Sequence, residues 1–209
     1  SQLYKFKKTL QDTEKITPIL DDSEETNDFL SFTPITPNDL LYINELLEYE
    51  KVQNGLYIVA TPIGNLGDIT LRSLKILSCV DLILCEDTRI SKKLTNKYGI
   101  KTQLKPFHKF NSKNSIPLII KKLQAGLSIA IISDAGTPII SDPGSDLIKI
   151  CGEKKINVFS LPGPSATISS YVLSSFAQTS FIFRSFFPRH KKEALKELDL
   201  IKKLECPVI

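Results

Sequence analysis

The chain has 209 residues, 42% of them hydrophobic and 24% charged, a composition that fits a globular protein of one large domain or two small ones. No apolar run approaches the roughly 18 residues of a membrane span, and the opening residues lack the long apolar core of a secretory signal. Cys79, Cys85, Cys151 and Cys206 show no CxxC spacing, and the two histidines stand too far apart for a metal centre. We therefore expect no metal and no membrane partner, and reduced thiols in or near the core of a cytoplasmic protein. The net charge of +4 is unevenly placed. Residues 1–54 carry 5 Lys/Arg against 11 Asp/Glu, a net −6, and residues 55–209 carry 22 against 12, a net +10. A basic globular part suits an anionic partner such as RNA.

Residues 1–54 contain no glycine and include the acidic patch Asp21-Asp22-Ser23-Glu24-Glu25. Thr36, Pro37 and Asp39 open an amphipathic helix with Leu40, Leu41, Ile43, Leu46 and Leu47 on its apolar side. We read this part as an appended helical or irregular segment. The chain has no methionine and stops at Cys206-Pro207-Val208-Ile209, which looks like an opening strand. We take it as a piece of something longer.

From Gly55 onward, strands and helices alternate. Residues 56–60 are a β-branched strand, followed by a loop through Thr61, Pro62, Gly64 and Gly67. From Thr70 comes a helix with Leu71, Leu74, Ile76 and Leu77 inward. Residues 81–85 form the second strand, ending in Glu86-Asp87-Thr88-Arg89, and a polar helix follows over about 91–98. Residues 103–107 are a weaker third strand. The helix after Asn114 turns Ile116, Ile119, Ile120 and Leu123 inward, and Gly126 ends it. Residues 128–132 are the fourth strand, a helix begins near Ser145, and residues 157–161 are the fifth strand. A Ser-rich apolar helix comes next. Phe181-Ile182-Phe183 opens a second sheet, and a charged helix runs from about Lys191 to Leu204.

This alternation predicts an α/β fold: a five-stranded parallel sheet covered on both faces, then the start of a smaller C-terminal α/β domain. The expected division is 1–54 appended segment, 55–163 sheet domain and 164–209 incomplete second domain.

Loops at the carboxyl ends of parallel strands are where ligands sit, and three of these loops are bent and rich in Gly, Pro and Ser. The first lacks both the GxGxxG of dinucleotide folds and the GKS/GKT of a phosphate loop. A nicotinamide enzyme and a nucleotide hydrolase are therefore set aside.

Five segments stand in order: residues 60–70 (ATPIGNLGDIT), Glu86-Asp87-Thr88-Arg89, residues 133–138 (SDAGTP), Ser141-Asp142-Pro143-Gly144 and residues 161–166 (LPGPSA). Together they resemble the small-subunit ribosomal RNA methyltransferase I family, cytidine 2′-O-methyltransferases of the tetrapyrrole-methylase superfamily, over residues 55 to about 209. The resemblance implies S-adenosyl-L-methionine as donor and small-subunit (16S) ribosomal RNA, or the subunit itself, as substrate. It also implies a homodimer. The donor is expected against Pro62, Gly64, Asn65, Gly67 and Asp68; against Ser133, Asp134, Ala135, Gly136, Thr137 and Pro138; and against Pro162, Gly163, Ser165 and Ala166. A ribose hydroxyl is a poor nucleophile until its proton is removed. Glu86, Asp87 and His108 are the candidate bases, although Glu86 and Asp87 could instead pair with Arg89.

Arg184, Arg189, His190, Lys191 and Lys192 stand among Phe181, Phe183, Phe186 and Phe187. With Arg89 they are the candidate RNA contacts, phosphate-binding cations beside stacking rings. The sequence departs from the family twice. Ser185-Phe186-Phe187-Pro188 stands where Gly-Phe-Leu-Pro is usual, and Phe110 stands where a second histidine commonly precedes the asparagine. The alternatives are a small-molecule tetrapyrrole-type methylase of the same superfamily and a catalytically incomplete binding module.

Overall fold

The computed structural model describes residues 52–140, 143–176 and 180–209. The acidic patch, the helix expected over 36–47 and the Ser141-Asp142 pair lie outside the described residues.

Five strands form one sheet: β1 (Gly55–Val59), β2 (Leu82–Cys85), β3 (Leu104–Pro106), β4 (Ser128–Ile132) and β5 (Val158–Leu161). Their order is β3-β2-β4-β1-β5, and every pairing is parallel. Such strands are buried on both faces and therefore read as continuous apolar runs. All of β2 and all of β4 is buried. Six helices follow in chain order: α1 (Leu71–Cys79), α2 (Thr88–Lys97), α3 (Ser112–Gln124), α4 (Ser145–Glu153), α5 (Ala166–Leu173) and α6 (Lys191–Ile201).

Side chains alternate across a strand, so the sheet divides the core in two. Tyr57, Val59, Ile83, Cys85, Ala130 and Ile132 pack with Ile76 and Leu77 of α1 and Leu94 of α2. Leu56, Leu82, Leu84, Ile129 and Ile131 pack with Ile116, Ile119, Ile120 and Leu123 of α3 and with Leu147 and Cys151 of α4. Helices α1 and α2 thus cover one face and α3 and α4 the other. At the amino edge, the Ser128 N–H and hydroxyl donate to Asp81 Oδ2 at 2.8 and 2.7 Å. These bonds fix β2 against β4 and hold the Asp81 carboxyl below its ordinary range, the backbone donor contributing most.

Several elements differ locally from the sequence expectation. Helix α2 starts at Thr88 rather than Ser91, because Asp87 Oδ1 accepts from the Arg89 N–H at 2.8 Å and caps it. Helix α3 starts at Ser112, since the chain already turns helical at Asn111. Leu71, expected inward, is exposed, because the face of α1 that meets the sheet carries Ser73, Ile76 and Leu77. Cys79 is an exposed thiol, Cys206 is half-buried, and Cys85 and Cys151 are buried. Among the described residues, the expected second sheet is represented by one parallel bridge, Ile182 to Val208, with the Ile182 N–H donating to the Pro207 carbonyl at 2.9 Å. Among the described residues, no helix is long and apolar enough to cross a membrane.

Candidate active site at the carboxyl edge of the sheet

Strands β1 and β4 are neighbours, yet their connections diverge. From β1 the chain crosses to β2 through α1 on one face; from β4 it crosses to β5 through α4 on the other. This is a topological switch point, and the crevice outside the strand ends at such a point is where open α/β sheets bind ligands. A pocket of about 340 Å³ lies there, lined by residues that follow β1 (Thr61, Pro62, Ile63, Gly64, Leu66), residues at the end of β4 (Ile132, Ser133, Asp134, Ala135) and the first turns of α2 (Ile90, Ser91, Lys93, Leu94).

Hydrogen bonds between residues far apart in sequence hold the pocket's walls. Thr61 and Gly136 exchange backbone bonds of 2.9 and 3.0 Å, joining the loops after β1 and β4. The Thr61 hydroxyl donates to the Ser133 carbonyl at 3.1 Å, and the Ser133 hydroxyl donates to the Gly136 carbonyl at 3.0 Å. The Thr137 hydroxyl reaches the Pro164 carbonyl at 3.2 Å and ties in the loop after β5. Two glycines make these approaches possible. Gly136 has φ +81°, and a Cβ there would stand 3.3 Å from Ile63 Cγ2; a Cβ on Gly163 would meet Ala60 Cβ at 2.8 Å. Ile139, further along the β4 loop, holds φ +78°. A β-branched residue is strained in that region, and such strain concentrates at functional sites.

Of the residues expected to contact a donor, Pro62, Gly64, Ser133, Asp134 and Ala135 line the pocket. Gly136 and Thr137 brace it from behind. Asn65 caps the short 3-10 turn Leu66–Asp68, which contains Gly67 and Asp68. Ser165 caps α5, which begins at Ala166. Pro162 and Gly163 belong to the bracing loop, Ser165 and Ala166 to the start of α5, all outside the lining, and Pro138 is buried outside it too. The sequence reading missed Thr61 and the wall supplied by α2. Ile90, Ser91, Lys93 and Leu94 repeat at helical spacing, a signal hidden by placing the helix start at Ser91.

The three base candidates stand apart from the lining. Asp87 caps α2 and pairs with Arg89 at 2.6 Å. The Arg89 hydrogen bonds pull its pKa down to about 2, which leaves a weak base. His108 follows β3 at the edge of the sheet, two strand positions from β4. There the Asn111 side chain closes a tight turn, accepting from the His108 N–H at 2.8 Å and donating to the Pro106 carbonyl at 3.0 Å. Glu86, half-buried after β2, is also outside the lining. Among the described residues, the only carboxylate in the pocket wall is that of Asp134. Its Oδ1 accepts from the Asp87 N–H at 3.2 Å, and burial pushes its pKa up.

Among the candidate RNA contacts, Arg89 and Arg184 are already paired, the latter through two bonds to Glu197 at 2.7 and 3.0 Å. Arg189, His190, Lys191 and Lys192 are exposed, as are Phe183, Phe186 and Phe187. His190 makes no side-chain cap, so Lys191 and Lys192 stand at an uncapped positive helix end. Ser185, in the position where glycine is usual in the resembling family, holds φ +66°. Ser185→Gly is expected to relieve the left-handed strain and raise stability by up to about 1 kcal/mol, read as an upward shift of the urea midpoint. Among the described residues, no His/Cys/Asp/Glu cluster could hold a metal ion.

The family profile of the tetrapyrrole (corrin/porphyrin) methylases matches residues 55–208. A Thermotoga maritima protein named ribosomal RNA small subunit methyltransferase I is 51% identical over 68% of this chain and 65% of its own length. A Mesorhizobium japonicum protein of the same name is 41% identical over 76% of this chain and 54% of its own. The chain thus spans only about half to two thirds of the length of these relatives. A solved uroporphyrin-III-C-methyltransferase from Thermus thermophilus aligns over 62% of this chain and 60% of its own with a TM-score of 0.48 and 18% identity. With its profile matched from the first strand to the residue before last, the chain belongs to the tetrapyrrole methylase family.

Proposed function

We propose that the chain binds S-adenosyl-L-methionine in the switch-point pocket and directs its methyl group to a cytidine 2′-hydroxyl of small-subunit ribosomal RNA. The observation that carries this reading is the pocket itself, held open where β1 and β4 diverge. Its volume of about 340 Å³ lies at the lower end of the range for small-molecule sites. Its chemistry fits the donor. Ile63, Leu66, Ile90, Leu94 and Ile132 offer an apolar slot for adenine, while Thr61, Ser133 and the bent backbone of both loops offer polar groups for the ribose and amino-acid ends. The bound donor supplies an activated methyl on a sulfonium, so positioning by these loops accounts for much of the rate.

The choice of ribosomal RNA over a tetrapyrrole rests on the name shared by the relatives and on the exposed basic and aromatic segment at 183–192. Such a segment suits phosphate contact with base stacking. Within this proposal, residues 1–54 are an appended segment, 55–163 the donor-binding domain and 164–209 part of a second domain. Helix α5 buries none of its residues and presents Ile168, Val172 and Leu173 to solvent, a surface we assign to a second copy of the chain.

Calorimetric titration with the donor, followed by methyl transfer to small-subunit RNA, to assembled small subunits and to a porphyrinogen, tests the reading. Donor binding with transfer to RNA or subunit is expected. Transfer to the porphyrinogen alone would replace the substrate, and no donor binding would reduce the chain to a binding module.

A further inference from the structure

We infer that Asp134 is the general base that takes the proton from the acceptor hydroxyl, an inference that rests on the methyl-transfer reading above. The three carboxylate and imidazole candidates visible in the sequence are all outside the pocket wall, and Asp87 is committed to its cap and to Arg89. Asp134 lines the wall at the carboxyl end of β4, next to the loop from β1. One of its oxygens is fixed. Oδ1 accepts the Asp87 N–H at 3.2 Å, which anchors the carboxyl to the β2 end, while Oδ2 has no hydrogen-bond partner among the described residues. A pocket-wall carboxylate held by one oxygen, with the other left without a hydrogen bond, has the arrangement a base needs.

In the step, the hydroxyl oxygen of the acceptor forms a bond to the methyl carbon as the carbon–sulfur bond breaks. That bonding pair stays on sulfur, which becomes a neutral thioether, and the hydroxyl proton passes to Asp134. The charged and titratable groups around Asp134 are Asp87 with its partner Arg89, the Cys85 thiol at the end of β2, and Lys93 in the facing wall of α2. Burial, the largest effect, raises the Asp134 pKa; the Asp87 N–H lowers it and the Asp87 charge raises it, with a net upward shift. An upward shift makes the carboxylate a stronger base.

Single-turnover methyl transfer to small-subunit RNA, measured against pH beside donor affinity by calorimetry, tests the inference. Asp134→Asn keeps an oxygen for the Asp87 N–H and is expected to lower the single-turnover rate by roughly 100- to 10,000-fold with donor affinity unchanged. The unsubstituted chain loses rate as acid protonates Asp134, and the Asn variant loses that acid limb. Asp134→Glu restores part of the rate and the limb. An unchanged rate in Asp134→Asn overturns the inference, as does a donor affinity that weakens in step with the rate. If the unsubstituted chain binds donor but transfers no methyl to RNA, or binds no donor, the underlying reading fails and this one with it.

Discussion

Gly136→Val is expected to weaken donor binding by about tenfold or more while leaving the sheet folded. Gly136 sits at φ +81°, where a β-branched residue costs about 1–3 kcal/mol. Its new Cβ would also press on Ile63 at 3.3 Å, and Ile63 is part of the pocket wall. Relief requires the β4 loop to move away from the β1 loop, which breaks the paired Thr61–Gly136 backbone bonds. Misplacing the wall by even 1.4 kcal/mol of lost contact weakens binding about tenfold, and two walls move here. Calorimetry with the donor, beside a far-ultraviolet dichroism spectrum to confirm the fold, checks the result. Affinity equal to that of the unsubstituted chain would show that the junction of these loops does not shape the site.

Phe107→Ala is expected to cost about 3–5 kcal/mol, the largest stability loss of the substitutions considered. Phe107 is 1% exposed and is among the largest side chains so enclosed. It lies one residue beyond β3, and its N–H donates to the Cys85 carbonyl at 2.7 Å. The ring belongs to the cluster of Leu84, Ile116, Ile119 and Ile120, so removing it leaves a cavity between sheet and α3. A domain of this size has about 5–15 kcal/mol in total, so the variant keeps only a fraction of its margin. Urea denaturation followed by tyrosine fluorescence and dichroism gives the shift. A loss under about 1 kcal/mol would mean that α3 collapses onto the vacated volume.

Neither residue announces itself by type. Phe107 reads in sequence as the end of a weak strand, and Gly136 as one glycine in a bent loop. Asp87 and Arg89, two residues apart, could be paired on paper because their contact is local. The sequence placed Asp134 among the donor contacts and offered Glu86, Asp87 and His108 as the bases. What promotes Asp134 is the placing of β4 between β2 and β1, which brings residue 134 to the N–H of residue 87 and into the pocket wall.

By itself the sequence determined the local elements. Short apolar runs, β-branched in the first and fourth, specified five strands, and residues 128–132 became a strand to the residue. The spacing of Ile116, Ile119, Ile120 and Leu123 specified the buried face of α3, and the segment patterns pointed to the methylase family. Each of these depends on neighbours within a few positions, where steric and periodic constraints act without reference to the rest of the chain. Only the tertiary structure decided the strand order, the divergence of β1 and β4, and the stitching of Thr61 to Ser133 and Gly136 across more than 70 residues. These are long-range choices. They are made by which apolar faces can be buried together, and a linear pattern does not state which strand will lie beside which.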